Sequence, residues 1–149
     1  MKKILTKAME NSISEVMETM FFLPVEFGKA SSLEAAGLGD ELMVASLRFV
    51  GEITGSVSLF APRELVSEMG ANFMGEPREN LTENHLSGTL TEMLNMVCGN
   101  ALSKVKTKEP FELGIPEILA HPDIPGTEPL NIVETLSGRM GFYLVLDGS

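Results

Sequence analysis

The chain has 149 residues, of which 44% are hydrophobic and 21% are charged. This composition is typical of one globular domain over residues 1–149 and excludes a disordered chain. The net charge of −10 argues against nucleic acid and anionic membranes as partners, because both are negatively charged. The single cysteine, Cys98, allows no internal disulfide and predicts a reducing, cytoplasmic location. No apolar run approaches the roughly 18 residues that a membrane-spanning helix needs.

The first half of the sequence predicts one helix followed by three strands. Apolar residues recur at helical spacing over residues 5–20, and Pro24 follows the last of them. The next apolar runs, residues 25–30, 42–50 and 53–60, have strand character, and Gly51 and Glu52 are predicted to form a hairpin turn. A shorter helix is predicted to start with Pro62 at its first position and to end at about Met74.

The second half repeats this order. Thr82 is a predicted N-cap for a long helix, whose apolar stripe continues to Val105 and which is expected to end at Pro110. Residues 111–118 are predicted to be extended and residues 121–126 to form a loop. Residues 130–136 and 139–146 are predicted to form a hairpin around Ser137 and Gly138.

This order of elements predicts an α+β fold made of two copies of one unit. Each copy contributes a long helix and three strands, and residues 14–20 of the first copy align with residues 91–97 of the second. Hairpins outnumber crossovers, so the sheet is expected to be mostly antiparallel, with the two long helices packed on one side.

The polar side of the long helix carries the candidate functional residues. On a helical wheel, Glu92 and Asn95 lie opposite the apolar stripe with Gly88, Met96 and Gly99 beside them. Within a helix, Asn lowers helix stability by several tenths of a kcal/mol and Gly by about 1 kcal/mol relative to Ala. The two glycines leave a shallow surface that the backbone of a partner can approach closely. The spacing of Glu92 and Asn95 alone also fits an ordinary solvated helix.

Residues 92–101 resemble the signature helix of the CheX and CheC phosphatases of bacterial chemotaxis. The resemblance extends to Gly51 and Gly55, to residues 61–64 and to the closing strand at 138–142. It implies an α+β fold with an internal pseudo-repeat, and hydrolysis of the phospho-aspartate on a CheY-like response regulator.

The resemblance also implies roles for individual residues. Glu92 would pair with a lysine beside the phosphorylation site of the partner, and Asn95 would orient the attacking water. In the first helix Glu15 aligns with Glu92, but Glu18 replaces the amide. The first helix is therefore expected to be inactive, which leaves one site per chain, a pattern closer to CheX than to relatives with two sites.

The expected chemistry needs no cofactor and no metal of this chain. Phosphoryl transfer passes through a loose transition state and depends mainly on positioning and charge stabilisation. An amide holds water without a net charge, whereas a carboxylate would repel the phosphoryl oxygens. Mg²⁺ is expected on the partner regulator.

Two questions stay open at this level. The same face also suits a non-catalytic binding module, as in the related FliM-type flagellar switch proteins. The sequence does not decide between monomer and dimer, although the resemblance to CheX favours a homodimer.

Of the other reactive residues, His85 and His121 are isolated and fit no metal-ligand spacing, and Cys98 is expected to be a small buried residue.

Overall fold

The computed structural model describes residues 1–120 and 129–147, so the loop predicted at residues 121–126, with His121, lies outside the described residues. The helices are α1 (Lys2–Met20), α2 (Leu33–Ala36), α3 (Arg63–Met74) and α4 (Glu83–Ser103), with a 3₁₀ turn at Arg78–Asn80. The strands are β1 (Glu26–Ala30), β2 (Leu42–Val50), β3 (Gly55–Pro62), β4 (Glu112–Leu113), β5 (Glu117–Leu119), β6 (Leu130–Thr135) and β7 (Gly138–Leu146).

All seven strands belong to one sheet, and every pairing between them is antiparallel. The order is β1-β6-β7-β3-β2-β4, with β5 also paired to β2. The third strands of the two halves, β3 and β7, pair at the centre. The halves exchange their first strands, because β1 pairs with β6 while β4 and β5 pair with β2. The α+β fold, the antiparallel sheet and the repeated order of elements are confirmed.

The main core lies between one face of the sheet and helices α1, α3 and α4. It contains fully buried side chains from each of these helices and from β2, β3, β6 and β7. The opposite face carries a smaller apolar cluster that includes Phe60, Ile132 and Tyr143, and it is partly covered by Ala36 and Leu38 at the end of α2. The two long helices pack on one side of the sheet, as predicted, and the short helix α2 lies at the opposite face.

Helix α2 was not predicted because it is a single turn and is defined by its ends. The side chain of Ser32 accepts a hydrogen bond from the Ala35 amide at 3.0 Å. Gly37 follows in the left-handed conformation, at φ 64°. These are ordinary start and stop signals for a helix, but four residues are too few to show a periodicity.

Helix α4 begins as predicted but ends earlier. Thr82 is its N-cap. Together with His85 it provides hydrogen-bond acceptors for two backbone amides at the start of the helix. The Thr82 Oγ1 accepts from the His85 amide at 3.2 Å, and the His85 Nδ1 accepts from the Thr82 amide at 3.0 Å. The helix ends at Ser103, not at Pro110, because the Lys104 and Val105 amides turn back onto the Ala101 and Leu102 carbonyls. Val105 is still buried, so the apolar stripe continues beyond the helix.

Three boundaries in the sheet also differ from the prediction. The connection between β2 and β3 has four residues, 51–54, because Gly51 donates to the Thr54 side chain and β3 begins only at Gly55. A side chain at Gly55 would lie 2.1 Å from the Val145 carbonyl oxygen, so this position requires glycine. The extended segment at 111–118 forms two short strands instead of one, interrupted before Pro116, which has no amide to donate. Pro62 is the last residue of β3 and the N-cap of α3, not its first residue.

Candidate functional site

Glu92 and Asn95 lie on the exposed side of α4, as predicted. Within the described part of the chain, neither side chain forms a hydrogen bond or an ion pair with another residue. An amide and a carboxylate that face solvent without internal partners are free to bind groups of another molecule. The face therefore offers one negative charge, one amide donor and two kinds of oxygen acceptor.

The packing of α4 determines which side of the helix is exposed. Met93, Leu94 and Val97 are fully buried against the sheet and the other helices. A rotation of about 100° per residue then places Glu92 and Asn95 about 60° apart on the opposite side. A helix held by this many core contacts cannot rotate without exposing its apolar stripe, so the two polar side chains keep a common direction.

The three residues predicted to border the pair differ in their surroundings. Gly88 is exposed, and an added Cβ would find nothing within 4 Å. Gly99 is half-buried, and its added Cβ would lie 3.9 Å from Leu113. Met96 is also half-buried and packs against the main core, so only part of its side chain contributes to the exposed face. Gly88 and Gly99 add no side chain to the surface beside Glu92 and Asn95.

Cys98 lies on the core side of the same helix and is fully buried. Burial raises the pKa of its thiol to about 12. The thiolate is the reactive form of cysteine, so this group is inert at neutral pH. The structure confirms that Cys98 is a small buried residue.

The equivalent position in the first half has a different environment. Glu15 on α1 accepts hydrogen bonds from Asn100 Nδ2 on α4 at 3.2 Å and from Nζ of Lys104, the C-cap of α4, at 3.3 Å. These two hydrogen bonds, together with the positive charge of Lys104, lower the pKa of Glu15 below its ordinary value. The sequence did not reveal this contact, because its partners are more than 80 residues apart in the chain.

His85 has a structural role that the sequence analysis missed. It completes the capping box of α4 with Thr82, in the position that Glu or Gln more often occupies. Within residues 1–120 and 129–147, no group of three His, Cys, Asp or Glu side chains is arranged to hold a metal ion. None of the helices in these residues is both long and apolar enough to cross a bilayer.

Two halves that share one antiparallel sheet, with a long helix from each half packed side by side, define a chain with the CheC-like fold. A CheC-like superfamily protein from Shewanella sp. PV-4 is 20% identical, with 99% of this chain and 100% of that one covered at a TM-score of 0.76. The family model described as chemotaxis phosphatase CheX matches residues 43–134, which is more than half of the sequence. The chain belongs to the CheX family.

Two CheX structures show the same fold. The chemotaxis protein CheX from Vibrio vulnificus is 18% identical over 96% of both chains, with a TM-score of 0.75. CheX from Borrelia burgdorferi, in a complex with CheY, BeF₃ and Mg²⁺, is 14% identical over 95% of this chain and 96% of that one, with a TM-score of 0.76. No protein with a curated function matches the sequence significantly.

Proposed function

We propose that this chain is a phosphatase that removes the phosphoryl group from the phospho-aspartate of a CheY-like response regulator. The observation that carries the proposal is the acid and amide pair on α4, which is exposed and has no partner among the described residues, in a chain of the CheX family. The complex of Borrelia CheX with CheY, BeF₃ and Mg²⁺ supports a regulator as the partner.

In this proposal Asn95 positions the attacking water. Its amide oxygen accepts one hydrogen bond from the water, and its NH₂ group donates to the water or to a phosphoryl oxygen. The amide has no net charge, so it approaches the phosphoryl group without repulsion. The water is then held in line with the leaving carboxylate oxygen, which is the main requirement of a loose phosphoryl-transfer transition state.

Glu92 has the role of an anchor. Its carboxylate pairs with a lysine ammonium beside the phosphorylation site of the regulator, which fixes the position of Asn95 above the phosphoryl group. Mg²⁺ belongs to the regulator and neutralises charge on the phosphoryl oxygens there. Because the chain carries a net charge of −10, long-range attraction to an acidic regulator is weak, and docking depends on such local contacts.

The test is the rate of phosphate release from a Mg²⁺-bound CheY-type regulator that has been phosphorylated with acetyl phosphate. Asn95→Ala and the isosteric Asn95→Asp are each expected to lower the acceleration about a hundredfold or more, because both lose the neutral amide. Asn84→Ala, at an exposed asparagine on the first turn of the same helix, is the matched control and should keep full activity. Glu92→Ala should raise KM more than it lowers kcat.

An active Asn95→Ala protein would refute the proposed role of this amide. The alternative is a non-catalytic binding module. It predicts that the native chain binds the BeF₃-bound regulator but does not accelerate phosphate release at any concentration. Thermal unfolding of each variant is a necessary control, and the unfolding midpoint should change little because all three substituted side chains are exposed.

A further inference from the structure

Phe22, which follows the C-cap residue of α1, has a backbone conformation that its side chain disfavours. Phe22 has a φ of 58°, and Glu41 is the only other non-glycine residue with a positive φ in the described part of the chain. The helix end is closed around Phe22, since the Phe21 and Leu23 amides both donate to the Met17 carbonyl, at 3.2 and 3.0 Å. Glycine is the usual residue in this left-handed position, because a Cβ is strained there.

The side chain of Phe22 gains little burial in return for this strain. It is 65% exposed, and it belongs to an apolar corner that also contains Phe73 at 42% and Met74 at 41%, the last two residues of α3. The ends of α1 and α3 are held together beneath this corner. The rings of Phe21 and Phe73 are 5.6 Å apart, and Asn72 Nδ2 donates to the Phe21 carbonyl at 2.8 Å. Neither backbone preference nor core packing explains an aromatic residue at position 22.

The contacts between the helices place the apolar corner at the level of the α4 turn that carries Glu92. Helices α1 and α4 run antiparallel: Glu15 contacts Asn100, whereas the end of α1 is tied to α3, which meets α4 at Gly70 and Thr89. At a rise of about 1.5 Å per residue, Phe22, two residues beyond α1, is about 10 Å from Glu15 in the direction of the α1 axis. The same distance along α4 from Asn100 reaches the turn of Glu92. Phe22 and Glu92 are therefore at the same level of the helix pair.

The charges beside the corner indicate the chemistry of its occupant. Glu92 on α4 and Glu18, one turn before Phe22 on α1, are both exposed and have no ion pair with the described residues. A complementary surface would present an ammonium group next to apolar side chains. In the proposed function a lysine of the regulator pairs with Glu92 and supplies this ammonium group. Apolar side chains beside that lysine would then contact the apolar corner.

We propose that Phe22 is an aromatic docking residue for the phosphorylated response regulator, packing on apolar side chains beside the lysine that pairs with Glu92. This inference rests on the proposed function and adds to it the surface that binds the partner. Exposed aromatic residues commonly dominate the affinity of such interfaces. Backbone strain held in the free protein is then explained by the position that it gives to the ring.

The test uses Phe22→Gly in the full-length chain. Glycine removes the strain, so the unfolding midpoint should stay unchanged or rise, while KM for the phosphorylated, Mg²⁺-bound regulator should rise about tenfold with a much smaller change in kcat. Phe22→Tyr should keep a KM close to that of the native chain. Glu41→Gly is the matched control, because it removes the other left-handed non-glycine residue. Glu41 accepts from the Arg63 amide at the opposite end of α3, so Glu41→Gly should leave KM unchanged.

The outcomes separate this inference from the proposed function. If Phe22→Gly keeps the native KM while Asn95→Ala is inactive, docking through Phe22 is refuted and the phosphatase assignment stands. If the native chain binds the BeF₃-bound regulator without accelerating hydrolysis, calorimetry decides: a Kd about tenfold weaker in Phe22→Gly supports the docking role, and an equal Kd refutes it. A change in oligomeric state in Phe22→Gly would refute it in favour of contact with a second copy of the chain.

Discussion

The Glu15 carboxylate on α1 lies 3.3 Å from the ammonium of Lys104, the C-cap residue of α4. Glu15 is the repeat counterpart of Glu92, and the two carboxylates differ in whether they form an ion pair. In the first half the acid is paired inside the chain, and in the second half it is exposed without an ion pair in the described residues. This difference agrees with the replacement of the amide by Glu18 in the first half, and it supports one site per chain.

The pairing of Glu15 predicts a pH effect. The pKa of Glu15 is lowered by the Asn100 hydrogen bond and then by Lys104, so its value in the folded chain is below its unfolded value. Such a group stabilises the fold above its unfolded pKa and loses that contribution as the pH falls through its folded pKa. Lys104→Met should therefore raise the Glu15 pKa. The stability difference between this variant and the native chain should narrow between about pH 6 and about pH 3.

The measurement is an NMR titration of the Glu15 side-chain carboxyl, together with urea unfolding across that pH range. The stability effect is expected to be small because both groups are exposed. An unchanged Glu15 titration in Lys104→Met would show that Lys104 does not act on this carboxylate in solution.

A second prediction concerns a buried hydroxyl in α1. Ser12 is fully buried, and within the described part of the chain its Oγ has no hydrogen-bond partner. Ser12→Ala removes the unsatisfied group and introduces a better helix former, so the free energy of unfolding should rise by about 1 kcal/mol or more. Thermal or urea unfolding measures the change.

The matched control for Ser12 is its repeat counterpart in α4. Thr89 is also buried, but its Oγ1 donates to the His85 carbonyl at 2.7 Å. Thr89→Ala should therefore lower stability, through lost packing and a lost hydrogen bond. A Ser12→Ala protein that is less stable than the native chain would contradict the prediction.

The third prediction concerns the flat surface beside the acid and amide pair. Gly88→Ala should stabilise α4 by about 1 kcal/mol, because glycine is a poor helix former and the added methyl group meets nothing. If the backbone of a regulator approaches this face closely, the same methyl group should raise KM in the phosphate-release assay. A stabilised protein with an unchanged KM would show that the face around Gly88 is not part of the contact.

Local sequence signals predicted the helices and strands where one segment contains both a periodicity and an end signal. Strand β2 was predicted to the residue, and the start of α4 at Thr82 and the end of α3 at Gly75 follow from capping preferences. The predicted end of α4 at Pro110 was wrong, because the apolar stripe continues to Val105 although the helical backbone conformation ends at Ser103. Burial of a side chain and helical conformation are separate requirements, and periodicity reports only the first.

The exchange of first strands between the halves was not predictable in this way. Hairpin partners such as β6 and β7 follow from a short turn, but β1 pairs with β6 across 100 residues of chain. The alternation of apolar residues along a strand predicts which face is buried but not which strand pairs with it.

The helical repeat in the sequence is sufficient to place Glu92 and Asn95 on the solvent side of one helix, because it relates their direction to that of Met93, Leu94 and Val97, which are buried. The contacts of Glu15 with Asn100 and Lys104, and of Phe21 with Asn72 and Phe73, follow only from the tertiary structure. Those contacts join residues far apart in the chain, and their geometry depends on how whole helices pack, which no local spacing specifies.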